Sequence, residues 1–109
     1  MNFQEFRIIG AMNQYLVDVD LPDELSEEFI ALIPDQRAQV NDLMANGSLL
    51  AYALSVDQSK VWVTINAETE NDVQEILESM PLYDFMDATI YELAFYNVAG
   101  TGLPAISLN

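Results

Sequence analysis

The residue types that could do chemistry are few in this chain, and the missing ones narrow the field most. Its 109 residues include no histidine and no cysteine. That removes the usual general base, the Ser-His-Asp arrangement, a proximal haem histidine, thiolate nucleophiles, disulfides and imidazole or thiolate zinc sites. Carboxylates remain. Asp18 and Asp20 stand two apart in an alternating stretch and so share one face of a strand, with Asp23 and Glu24 close behind. Their spacing is not that of a calcium loop, and the pair reads as solvated strand-end acids rather than a metal site. No metal or other cofactor is implied. Asp18 is the candidate catalytic base, a role that would need desolvation to raise its pKa.

The second candidate group is polar residues in an apolar setting. Between Ser26 and Asn46 a helical wheel gathers Phe29, Leu32, Ile33, Val40, Leu43 and Met44 into one stripe. Gln36 falls near its centre and Arg37 at its edge. A buried amide or guanidinium has to be paired. One reading has Gln36 bonding a neighbouring backbone group while Arg37 snorkels to an acid. In the other, both line a cavity between helix and sheet, where the planar fork of Arg37 grips a carboxylate or carbonyl. Tyr52 and Trp62, aromatic residues of the following strands, complete the candidate ligand-binding set.

The elements that must position these groups follow from pattern and punctuation. Tyr15, Val17, Val19 and Leu21 alternate with Leu16, Asp18 and Asp20, a strand ended by Pro22. Ser26 is a good N-cap ahead of Glu27 and Glu28, and Gly47 suits the residue after a helix end. Pro34 lies inside this helix and should kink or split it. Leu49 to Val56 and Lys60 to Ala67 form a hairpin across Asp57-Gln58-Ser59. With Ser55 opposite Lys60, Trp62 falls opposite Ala53, with Ala51 and Thr64 on the same face. Leu50, Tyr52, Leu54, Val61, Val63 and Ile65 would fill the other. Thr69 caps a second helix whose Val73, Ile76, Leu77 and Met80 form one face. Pro81 stops it, an apolar turn of Leu82, Tyr83, Phe85 and Met86 follows, and a strand is expected from Thr89 to Tyr96.

Strand, helix, two-strand hairpin, helix, strand is a ferredoxin-like βαββαβ unit: an α+β fold with an antiparallel sheet and both helices on one face. The opposite sheet face is also largely apolar, so a second copy should bury it, making the protein at least a dimer.

A family resemblance rests on Pro81-Leu82-Tyr83-Asp84-Phe85-Met86-Asp87 and the strand ending at Leu93, on the position of Gly47, and on Val19-Asp20-Leu21-Pro22. Together they resemble the muconolactone delta-isomerase family over roughly residues 13 to 96. The resemblance implies a dimeric α+β barrel and proton transfer next to a lactone carbonyl. Where the family carries an arginine, a histidine and another arginine on a strand, this chain has Leu50, Ala51 and Leu54. Such a pocket suits an anionic lactone poorly. The expectation is an isomerase-like or proton-transfer protein acting on a small, mostly apolar carbonyl compound. A non-catalytic dimer that binds a small ligand or serves in assembly is the alternative.

Composition sets the outer bounds. With 51% hydrophobic residues and 10% aromatics the chain can bury a core, and its length fits one domain. That domain is expected at 12–96, between an N-terminal extension at 1–11 and a tail at 97–109 whose Leu103, Ile106 and Leu108 pack on the dimer partner. Three basic residues face 18 acidic ones, a formal net charge of -15. Such a surface repels phosphate backbones and anionic lipid, which argues against nucleic-acid and membrane partners. No apolar run approaches a membrane span and the N-terminus lacks a signal pattern, so the expected location is cytoplasmic.

Overall fold

The computed structural model describes residues 12–99. The N-terminal extension and the contacts of Leu103, Ile106 and Leu108 lie outside the described residues.

The chain runs β1 (Asn13–Asp20), α1 (Glu27–Ala45), β2 (Leu49–Leu54), β3 (Lys60–Ala67), α2 (Glu70–Glu78), a 3-10 turn (Tyr83–Phe85) and β4 (Asp87–Glu92). The four strands form one antiparallel sheet in the order β2-β3-β1-β4. This is the ferredoxin-like arrangement. Tyr15, Val17 and Val19 of β1 and Val61, Val63 and Ile65 of β3 point to one face and are almost wholly buried. Val40 and Leu43 of α1 and Val73 and Leu77 of α2 join the same cluster, so both helices cover that single face.

Local sequence explains how each helix is bounded. Ser26 accepts a hydrogen bond from the Phe29 N–H at 3.1 Å and Thr69 from the Asp72 N–H at 3.2 Å, each satisfying a donor the helix itself leaves open. Gly47, at φ 84°, ends α1 in the left-handed region that favours glycine. Pro34 does not split α1, which is one helix of 19 residues with the proline inside it.

Three sequence expectations shift. A bulge between Leu49 and Ala51 pairs Leu49 with Ile65, so Leu49 is buried and Leu50 is 37% exposed instead of filling the helix-covered face. The hairpin closes at Ser55, whose N–H bonds the Lys60 carbonyl, leaving Val56 outside β2 and fully exposed. The last strand stops at Glu92, not Tyr96. Glu92 pairs with Tyr15, and β1 begins only two residues before that position, so the ladder runs out after the Leu93 N–H reaches the Gln14 carbonyl.

On the face away from the helices, Ala53, Trp62, Asp18 and Thr89 form one cross-strand row and Ala51, Thr64, Leu16 and Tyr91 the next. Thr64 is buried among its neighbours, while Trp62 and Tyr91 stay exposed. Among the described residues no helix is long and apolar enough to cross a membrane.

Candidate functional site

Gln36 is the residue around which the site is built. Its position in the middle of α1 points it at the sheet, where it is only 4% exposed. The side-chain carbonyl accepts a hydrogen bond from the Leu82 N–H at 3.0 Å. This is the backbone partner that burial of an amide requires, and it ties α1 to the turn after Pro81. The amide nitrogen donates to the Tyr52 hydroxyl oxygen at 3.4 Å and lies 3.5 Å from the Met80 sulfur.

Beside this amide, between α1, the β2–β3 hairpin and the 81–86 turn, lies a cavity of about 240 Å3. Its body is hydrocarbon, including Leu21, Phe29, Ile33, Val61, Leu82 and Met86. The turn is held over it by packing, with the Phe29 and Phe85 rings meeting edge to face at 5.3 Å. Its polar groups are Gln36, Arg37, Tyr52 and Gln58. A second, more open cavity of about 300 Å3 adjoins it, lined by Gln36, Arg37, Val40, Asn41 and Tyr52. Gln36, Arg37 and Tyr52 therefore form a wall common to both.

Arg37 is exposed and makes no ion pair with any described residue. Lys60, the other basic side chain among those residues, is fully engaged. Its ammonium lies 2.7 Å from Asp18 and 2.9 Å from Asp20. These hydrogen-bonded carboxylates hold the Lys60 pKa above the ordinary lysine range. At the hairpin tip the Asp57 carboxylate accepts from the Ser59 hydroxyl, the Ser59 N–H and the Ser55 hydroxyl, which together hold its pKa down to about 2. This cage braces the turn that carries Gln58, itself at φ 64°.

Leu21, Leu82 and Met86 of the cavity lie in the two segments that carry the family resemblance. Residues 13–98 match the family described as muconolactone delta-isomerase. The chain belongs to this family. No curated protein matches it.

As a member of the muconolactone delta-isomerase family, the chain uses its candidate residues unevenly. Gln36, Arg37 and Tyr52 come together at the cavity. Trp62 and Asp18 do not, because both sit on the opposite sheet face, paired across the β1–β3 ladder. Strand alternation is the reason: Tyr52 pairs with Val63, one residue on from Trp62, and thus faces the other way. Of the strand positions where the family resemblance implied polar side chains, Leu54 lines the cavity, Ala51 faces away and Leu50 is displaced by the bulge. Gln58 and Leu25 complete the lining without having been singled out by pattern. The only sequence signal for Gln58 was its place in the hairpin turn.

Proposed function

We propose that the protein is an isomerase-like ligand handler that binds a small, mostly apolar carbonyl compound between α1 and the sheet. The observation that carries this reading is the shared wall. An arginine with no acidic partner among the described residues stands beside the buried Gln36 amide and the half-buried Tyr52 hydroxyl at the edge of a hydrocarbon-lined cavity. Arginine in a chain this acidic would otherwise be drawn into an ion pair. The cavity volume lies below the roughly 300–1,000 Å3 of drug-sized sites, which favours a compact ligand.

In this reading Arg37 and the Tyr52 hydroxyl both donate to the carbonyl oxygen and stabilise negative charge that develops there as a neighbouring proton leaves. No carboxylate is among the described lining residues. With Tyr52 donating to the carbonyl oxygen as a neutral phenol, a proton leaving the neighbouring carbon would pass to water. The same observation favours a second reading, in which the protein binds its ligand without turning it over.

The open sheet face supports a further part of the proposal, a two-fold dimer. Trp62 and Tyr91 are large and exposed beside Ala53, Leu16 and Thr64, with the paired charges of Asp18 and Lys60 next to them, a face suited to a second copy.

Thermal unfolding of wild type and Arg37→Ala with small lactones and hydrophobic carbonyl compounds tests the site. A ligand at a hundred times its Kd stabilises by about 2.7 kcal/mol. Wild type should gain that shift and Arg37→Ala should lose it, while the unliganded variant stays within about 0.5 kcal/mol of wild type because Arg37 is exposed. Deuterium exchange into a bound enone or lactone, followed by NMR, then separates turnover from binding alone. If no compound of this class shifts wild type, the ligand reading is wrong.

A further inference from the structure

We propose that the natural ligand is a hydrocarbon monocarboxylate, an acid with one anionic end and no other hydrogen-bonding group, and this deepens and rests on the second reading above, binding without turnover. Donors and acceptors on the shared wall decide the polar end. The Gln36 carbonyl is occupied by the Leu82 N–H, and its amide nitrogen is directed at Tyr52 and Met80. The Tyr52 oxygen accepts from Gln36, and its own O–H donates to no described residue. A phenol in that state has a proton to offer a ligand. The Arg37 guanidinium has only donors. The wall therefore presents two open donors, one of them cationic, and no anionic acceptor.

A ligand ammonium placed there would give up water to face the like charge of Arg37, whereas a carboxylate would meet two donors of suitable chemistry. Gln58 could supply an acceptor, but a neutral amide does not offset the charge of Arg37 on the same cavity. Away from the wall, Leu21, Leu25, Phe29, Ile33, Val61 and Met86 offer no side-chain donor, so a second carboxylate or a ring oxygen would be stranded among hydrocarbon. Charge points the same way. With Lys60 held by Asp18 and Asp20, Arg37 is the basic side chain of the described residues that a mono-anion can meet, and a chain of net charge -15 repels a di-anion more strongly.

Isothermal titration of the full chain with four probes tests this: 3-phenylpropanoate, 4-phenylbutan-2-one, 3-phenylpropan-1-amine and phenylsuccinate. The monocarboxylate should bind about tenfold or more tighter than the ketone, as expected of charge-assisted hydrogen bonds. The amine and the dicarboxylate should bind more weakly than the ketone. Arg37→Gln should abolish the carboxylate preference, weakening the carboxylate about tenfold more than the ketone, and Tyr52→Phe should weaken both. Equal binding of carboxylate and ketone by wild type, or binding of the amine as tightly as the carboxylate, overturns the monocarboxylate assignment and leaves the broader site standing. Failure of both the carboxylate and the ketone to bind overturns the site as well.

Discussion

Replacing Gln36 by leucine removes the polar hinge between α1 and the turn after Pro81 while keeping nearly the same volume. The buried Leu82 N–H loses its acceptor at 3.0 Å and has no other among the described residues. An orphaned buried donor costs about 1–3 kcal/mol. The lost bond to Tyr52 adds little, since that hydroxyl is only half-buried and can rehydrate, and the added methyl groups return some apolar burial. A net loss of about 2 kcal/mol is expected, which for a domain near 100 residues lowers Tm by about 8 °C. The assay is thermal and urea unfolding, with the urea slope unchanged because the surface exposed on unfolding is the same. Gln39→Leu is the control: its bond to Ser79 is exposed, and its loss should cost less than about 0.5 kcal/mol. Hydrogen exchange adds a local readout, since the Leu82 amide should lose protection in Gln36→Leu before the β1 and β3 amides do. A Gln36→Leu protein melting within about 2 °C of wild type would refute the claim that this amide fastens the turn.

Three further outcomes are expected. Lys60 has a folded pKa raised above its ordinary 10.5, so from neutral pH up to that value its stabilising contribution is complete, and it fades as pH rises through the folded value; the gap in urea midpoint between wild type and Lys60→Met should be flat from neutral pH to 10.5 and narrow above it. Asp57 behaves in the opposite sense: its pKa is lowered from 3.8 to about 2, so its contribution holds above 3.8 and is lost as pH falls between those values. An Asp57→Ala protein should therefore lack that segment of the acid titration, and an identical acid profile would count against the cage. Trp62→Asp places a charge on the open sheet face and should shift sedimentation from dimer to monomer at micromolar concentration without unfolding the chain; a wild type that already sediments as a folded monomer would end the dimer proposal.

Much of the fold was legible because its signals are local. Ser26, Thr69 and Gly47 act through groups within a few residues of themselves, and the alternation of Tyr15, Val17 and Val19 reports which side of a strand is covered wherever that strand lies. The Trp62–Ala53 pairing followed from hairpin geometry alone. Gln36 and Arg37 stood out for a similar reason, since a polar residue on an apolar stripe conflicts with its own helix. Tertiary structure decided what those residues touch. The bulge that turns Leu50 outward leaves no mark in composition, because both neighbouring leucines suit a strand and only pairing with Ile65 selects the inner one. The end of β4 depends on where β1 begins, a residue 79 positions earlier than Glu92, and no local pattern carries that limit. Hairpin alternation already put Tyr52 and Trp62 on opposite faces, but only the packing of α1 and the 81–86 turn decided which of those faces holds the cavity. Gln36 needed an acceptor's partner, and which of the buried N–H groups would supply it was fixed only when the turn at Leu82 folded back across 46 residues of sequence. Sequence determines periodicity and caps because these are energies of neighbours; the identity of a contact between distant residues is set by the packing that brings them together.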